Sequence, residues 1–140
     1  MLIIPQDLLD EIHLHLEKTY PEEGVGFLFG VDEEPREVRE IFIVPNVREK
    51  EARHHRYDVA PQDIIDADER AEKMELSIIG VFHSHPDHPD KPSEFDRQRA
   101  HPFFSYLITS LRGGENISTR SWRLLEDRTA FVEEKLKIVV

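Results

Sequence analysis

The apolar run Ser77-Ile-Ile-Gly-Val-Phe82 passes without interruption into His83-Ser-His85. A run this short and rich in β-branched residues reads as a strand buried on both faces, which places it centrally in a sheet. Such a strand needs a covering layer on each side. The chain must therefore build a layered sheet, and two histidines must emerge where its central strand stops.

The flanking pattern supplies those layers. Pro5 to Lys18 suits a helix, with Leu8, Leu9, Ile12 and Leu16 on one face and Pro5 at a start that tolerates its missing N–H. Tyr20-Pro21 ends it. Gly24 to Gly30 is a glycine-bounded apolar strand, and Val31 to Arg36 turns it into a second strand, Glu37 to Val44, as a hairpin. Asn46 to Arg56 reads as a surface loop that could touch substrate, followed by a possible short strand at Tyr57 to Ala60. Pro61 opens a second helix with Ile64, Ala67, Ala71 and Met74 at helical spacing, ending near Leu76. Ser93 to Ala100 can form a short helix before the strand Ser105 to Thr109. Gly113-Gly114 is a turn, and Ile117 to Leu125 and Thr129 to Val139 read as two closing strands separated by Asp127-Arg128. This order predicts an α/β or α+β fold, a mixed central β-sheet flanked by helices. At 140 residues, one domain spanning 1–140 is expected.

Composition narrows the chemistry. There is no cysteine, so thiolate catalysis, disulfides and cysteine-held zinc are excluded, and a metal site must use His, Asp and Glu. The formal net charge of -11 argues against binding nucleic-acid phosphates. No apolar run reaches the roughly 18 residues of a membrane span, and the N-terminus lacks the layout of a signal peptide. The expectation is a cytoplasmic protein, with no membrane or nucleic-acid partner. Its oligomeric state is not set by the sequence, and a homodimer stays open.

His83 and His85 stand two apart on an extended strand end, so both side chains point the same way, roughly 6.6–6.8 Å apart along the chain. Ser84 faces away. Asp96, one turn into the following helix, can complete a set of three protein ligands, the number a catalytic zinc uses while leaving a position for water. Pro86, Pro89 and Pro92 stiffen the loop that returns Asp96 to the histidines. Ser93 has two readings: a donor to a developing oxyanion, or the cap of a capping box, since Ser-x-x-Asp precedes a helix. A hydrolase also needs a carboxylate base that is not a ligand. Glu22 and Glu23 precede an apolar strand and offer one, although spacing alone does not separate them from a solvated pair.

These residues resemble the JAMM or MPN-plus metalloproteases, in short prokaryotic form. The family pattern of an upstream Glu, then H-x-H, seven residues, Ser, two residues and Asp is matched by Glu23, His83-Ser-His85, Pro86 to Pro92, Ser93 and Asp96. Pro21-Glu-Glu-Gly-Val-Gly-Phe-Leu-Phe-Gly30 resembles the family's upstream segment, with Val25 where many members have cysteine. Val44-Pro-Asn46, the second helix and Trp122 also sit where such members have comparable features. The resemblance implies a cytidine-deaminase-like JAMM/MPN fold, Zn2+ on His83, His85 and Asp96, water activated by Glu23, and an oxyanion assisted by Ser93. It implies hydrolysis of peptide or isopeptide bonds at the C-terminal glycine of a ubiquitin-like or sulfur-carrier protein. Members that cleave ubiquitin chains often carry insertions, for which this length leaves little room.

Two other functions compete. An inactive MPN-type scaffold binding a ubiquitin-like partner would be expected to lose motif residues, and none is lost here. A zinc nucleobase deaminase needs a P-C-x-x-C pair, which a chain without cysteine lacks. Among the other histidines, His13 and His15 on a helix are separated by roughly 200 degrees and are rejected as a metal pair. His54-His55-Arg56 could contact a substrate tail but reads better as a solvated loop, His88 inside the metal loop could reach the ion or a substrate carboxylate but reads better as solvent-exposed, and His101 reads as structural. Trp122, Phe103 and Phe104 read as core. Glu133-Glu134 reads as a solvated edge.

Overall fold

The computed structural model describes residues 1–140. In chain order the elements are β1 (Leu2–Pro5), α1 (Gln6–Thr19), β2 (Val25–Val31), β3 (Arg36–Val44), α2 (Pro61–Lys73), β4 (Ser77–Pro86), α3 (Glu94–Arg99), β5 (Ser105–Arg112), β6 (Glu115–Leu124), β7 (Phe131–Glu134) and β8 (Leu136–Val139). The strands form one mixed sheet in the order β7-β6-β5-β4-β2-β3-β1-β8. The apolar run is indeed central: β4 pairs antiparallel with β2 and parallel with β5. The hairpin of β2 and β3 is also observed.

Both faces of the sheet are covered. On one, Leu9, Ile12 and Leu16 of α1 pack with Leu2, Ile4, Leu28, Ile79, Phe82 and Leu107. On the other, Ala67 and Ala71 of α2 pack with Val25, Phe27, Phe29, Val81 and Tyr106. Each large side chain removed from water this way contributes roughly 1.5–3 kcal/mol. Gly26 is required by this packing, because a Cβ there would lie 2.2 Å from the Phe82 ring. Phe82 is thereby seated immediately before His83. No helix is long and apolar enough to cross a membrane.

Several sequence expectations need correction. Leu2 to Pro5 forms an extra strand, β1, which pairs in parallel with both β3 and β8. Tyr57 to Ala60 is not a strand. Its backbone is engaged by Asn46 and Val47 instead: Asp58 N–H donates to Asn46 Oδ1 at 3.2 Å, and Asp58 C=O accepts from Val47 at 2.9 Å. The expected strand Thr129 to Val139 is two, at opposite edges of the sheet, with Lys135 alone between them. The sheet must therefore curl until its edges approach each other, and Leu2 N–H, donating to Lys135 C=O at 2.9 Å, extends the β1–β8 pairing to the connecting residue.

Side chains at the margins also differ. Ile64 and Met74 are exposed, because only the two alanines of α2 sit against the sheet. Phe103 is 59% exposed, stacked on His101 rather than inserted in the core. Trp122 is half-buried, and its Nε1–H donates to Asp90 C=O at 2.9 Å. Glu133 is exposed, but Glu134 is buried and accepts from Ser105 Oγ (2.6 Å) and Ser121 Oγ (2.9 Å). The curl of the sheet turns that carboxylate inward.

Candidate metal centre

The end of β4 sorts its side chains by alternation. His83 and His85 point to the face covered by α2 and α3, where both are buried. Ser84 points to the opposite face, and its Oγ accepts from Gly24 N–H at 2.9 Å. Ser84 N–H donates in turn to Gly24 C=O at 3.2 Å. This latch extends the β2–β4 ladder by one residue, whose last pair is Val25 with His83, and holds Glu23 beside the histidines.

Asp96 arrives on the first turn of α3. Ser93 caps that helix: its Oγ accepts from Asp96 N–H at 3.0 Å, while Asp96 Oδ2 accepts from Ser93 N–H at 2.9 Å. The cap aims the same carboxylate oxygen at the histidines, 3.0 Å from His85 Nε2 and 3.5 Å from His83 Nε2. The two Nε2 atoms lie 3.3 Å apart. One ligand atom from each of the three residues falls within 4.8 Å of the others.

The chemistry of these donors fits a cation. His85 Nδ1 lies 2.8 Å from Pro89 C=O, which can only accept, so Nδ1 carries the proton and Nε2 of the neutral ring presents a lone pair. That lone pair meets a second imidazole and a carboxylate. A divalent ion among them relieves the repulsion, and two His and one Asp are a suitable donor set. With only protons to share, the cluster compensates differently. Burial opposes charge on His85, but its hydrogen bond to Asp96 and that carboxylate's charge outweigh it and raise its pKa. Burial likewise pushes Asp96 up, and the two histidines overcome this to hold it well below the usual carboxylate range. His83, fully enclosed and tilted against the Tyr57 ring at 4.8 Å between centroids, is shifted down by burial.

Glu23 is buried, 4% exposed, and its Oε1 has no hydrogen-bond partner. Burial pushes its carboxyl up to about 8, with His85 pulling the other way and Asp96 adding to the rise. Its backbone is clamped: N–H donates to Arg53 C=O at 2.6 Å, and C=O accepts from Asn46 Nδ2 at 2.9 Å. Glu23, His85 and Ser93 line one cavity of about 460 Å³, with His55, Arg56, His88 and Lys91 on its walls.

The structure thus gathers His83, His85 and Asp96 at one point and sets Glu23 and Ser93 on the adjoining cavity. It separates His13 from His15: the first meets Thr119 Oγ1 at 2.8 Å and the second lies edge-on to Phe82. His54, His55 and His88 are exposed, as expected, though His55 and His88 border the cavity. Sequence reasoning gave no role to Asn46 or Tyr57. A lone Asn after Val-Pro carries no local signal of the four bonds it makes.

Fold and site together define a JAB1/MPN-type domain. Residues 5–125 match the family of prokaryotic homologs of the JAB domain, and the chain belongs to that family. It is similar to the "Probable TtuB-protein conjugate cleaving protease" of Thermus thermophilus, at 33% identity over 113 residues covering 81% of this chain and 72% of that one. The desampylase of Pyrococcus furiosus is 35% identical over 141 positions, covering 99% and 90%. Among solved structures, a protein from Desulfitobacterium hafniense aligns with a TM-score of 0.86 at 25% identity, covering 99% of this chain and 93% of that one. A JAB1/MPN domain protein from Archaeoglobus fulgidus shares the fold, with a TM-score of 0.64 at 20% identity and 98% of both chains covered.

Proposed function

We propose that this chain is a zinc-dependent hydrolase of peptide or isopeptide bonds at the C-terminal glycine of ubiquitin-like or sulfur-carrier proteins. The observation that carries this reading is the buried, unpartnered carboxylate of Glu23 in the same cavity as His85, beside a triad whose three donor atoms converge. Relatives named as a conjugate-cleaving protease and a desampylase support the substrate class.

His83 Nε2, His85 Nε2 and Asp96 Oδ2 would hold the ion. Zinc there supplies Lewis acidity, acidifying water and polarising the scissile carbonyl. Glu23 takes the proton from the attacking water as the new C–O bond forms, and returns it to the leaving nitrogen as the C–N bond breaks. Ser93 keeps its hydroxyl hydrogen free, because in the cap its oxygen only accepts. That hydrogen can therefore donate to the carbonyl oxygen as negative charge grows.

The test is a Glu23→Gln variant assayed on a ubiquitin-like protein joined through its C-terminal glycine to a lysine side chain or a single amino acid. The variant is expected to keep about one zinc per chain and to lose hydrolysis. Full activity in Glu23→Gln, or hydrolysis by metal-free protein, would overturn the mechanism.

A further inference from the structure

Phe95, the residue before Asp96, is surrounded by guanidinium groups. Arg56 lies 4.5 Å from its ring centroid, and Arg48 and Arg99 each lie at 5.3 Å. Two of the three are neutralised. Asp58 holds Arg48 at 2.8 Å and also pairs with Arg99, and Glu49 stands 3.5 Å from Arg48. Arg56 forms no ion pair and no side-chain hydrogen bond. Three cations against two carboxylates leave one positive charge, and Arg56 bears it.

Arg56 faces the cavity that holds Glu23, His85 and Ser93. Lys91, on the same wall, is also unpaired. The acid at that rim, Glu94, is engaged through both oxygens by Arg97. In a chain of net charge -11, two unpaired cations on the wall of one cavity run against the overall balance. Arg56 is also pre-positioned. Its C=O accepts from Asn46 Nδ2 at 3.0 Å, its N–H donates to Ala52 C=O at 3.0 Å, and its guanidinium rests on an aromatic ring. An arginine seated against an aromatic ring and free of other partners has a fork of N–H donors available to a carboxylate.

We infer that Arg56, assisted by Lys91, is a specificity residue that binds a substrate carboxylate beside the scissile bond. This rests on the hydrolase reading above. The carboxylate has three available sources: the α-carboxylate of a leaving amino acid, an acidic side chain next to an acceptor lysine, or an acidic residue preceding the terminal glycines.

Three matched peptide pairs distinguish them on the zinc-loaded protein. One pair is acyl-Gly-Gly-Ala with a free α-carboxylate and its C-terminal amide. The second joins Gly-Gly to a lysine side chain flanked by Glu or by Gln, and the third places Glu or Gln before Gly-Gly. The anionic member of at least one pair should be cleaved about tenfold more efficiently, chiefly through KM. Arg56→Ala should narrow that ratio to about twofold, and Arg56→Lys should recover part of it, since lysine restores the charge without the fork. A wild type indifferent to charge in all three pairs overturns the inference, as does a preference that survives Arg56→Ala with Lys91→Ala. If neither these peptides nor the ubiquitin-like conjugate of the earlier test is cleaved, the hydrolase reading fails by itself. Calorimetric titration of the same pairs into zinc-loaded Glu23→Gln then reads Arg56 separately: tighter binding of an anionic member that Arg56→Ala abolishes supports it, and equal affinities overturn it.

Discussion

Asn46 donates its side-chain amide to the carbonyl oxygen of Glu23 at 2.9 Å. The same nitrogen donates to Arg56 C=O at 3.0 Å, and Asn46 Oδ1 accepts from the backbone N–H groups of Arg48 and Asp58. One residue thus ties the segment carrying Glu23 to the loop carrying Arg56. Asn46→Ala strands two carbonyls and two N–H groups, and should cost about 2–3 kcal/mol of stability. Turnover should fall about tenfold or more with zinc content unchanged, since a misplacement of about 1 Å is expensive. Thermal unfolding, metal analysis and kcat on one preparation check this. Unchanged kcat would show that Glu23 is positioned without Asn46.

The raised pKa of Glu23 makes the metal-free protein sensitive to pH. An unfolded chain titrates this carboxyl near 4.5, whereas the folded one does so at about 8. Between those values the unfolded state has released the proton and the folded state retains it, so rising pH favours unfolding. Glu23→Gln removes this term. In chelator-treated protein the variant should gain on the wild type progressively from pH 4.5 to pH 8, by a difference of about 5 kcal/mol at most. Denaturant melts at several pH values measure it. A gap that stays constant with pH would mean that Glu23 is not held neutral by burial.

Converging lone pairs on His83, His85 and Asp96 predict that a divalent ion stabilises the fold as well as the chemistry. With free zinc about a thousandfold above Kd, linkage gives about 4 kcal/mol, or a rise in Tm of about 10 °C for a domain of this size. His85→Ala and Asp96→Asn should each abolish most of that increment, whatever their effect on the metal-free baseline. Differential scanning with and without chelator reads the increment directly. An undiminished increment in both variants would place the ion elsewhere.

The triad was legible because it is local. Strand alternation sets His83 and His85, a capping box sets Asp96, and both rules act over a few residues. Glu23 was not legible from spacing, because it reaches the histidines only through the pairing of β2 with β4. A resemblance pointed to it where periodicity could not. Asn46 and the arginines around Phe95 lay further out of reach, since their partners come from a loop without a regular pattern. β1 escaped for a related reason. It is a four-residue strand held by parallel neighbours distant in sequence, and its Pro5 also looks like the start of a helix.

Glu134 shows what the curl of the sheet conceals. An acidic pair in a last strand looks like a solvated edge, yet this carboxylate meets Ser105, Ser121 and, at 3.5 Å, Arg123. Arg36, 2% exposed, bonds the same Ser105 and donates to Phe103 C=O at 2.9 Å. Glu134→Ala removes the buried carboxylate near that arginine, leaves the exposed Asp32 at 3.4 Å as its counter-charge, and should cost about 3 kcal/mol. Chemical denaturation measures the loss. A change below about 1 kcal/mol would show that water or Asp32 compensates the arginine.

The observed cap role of Ser93 and its proposed donor role look exclusive in the sequence and are geometrically compatible in the structure. As cap, its oxygen accepts from Asp96 N–H; as a cavity residue, its hydrogen is free to donate. Ser93→Ala removes both functions, Ser93→Thr preserves both, and Ser93→Asp preserves the acceptor alone. Ser93→Ala should therefore lose about 1 kcal/mol of stability and about 10²-fold or more in kcat. Ser93→Asp should keep most of the stability while losing turnover, with its added negative charge deepening that loss. Ser93→Thr should retain both. Paired melts and kcat values across the three variants separate the roles. If Ser93→Ala keeps full turnover, the serine serves only to aim Asp96.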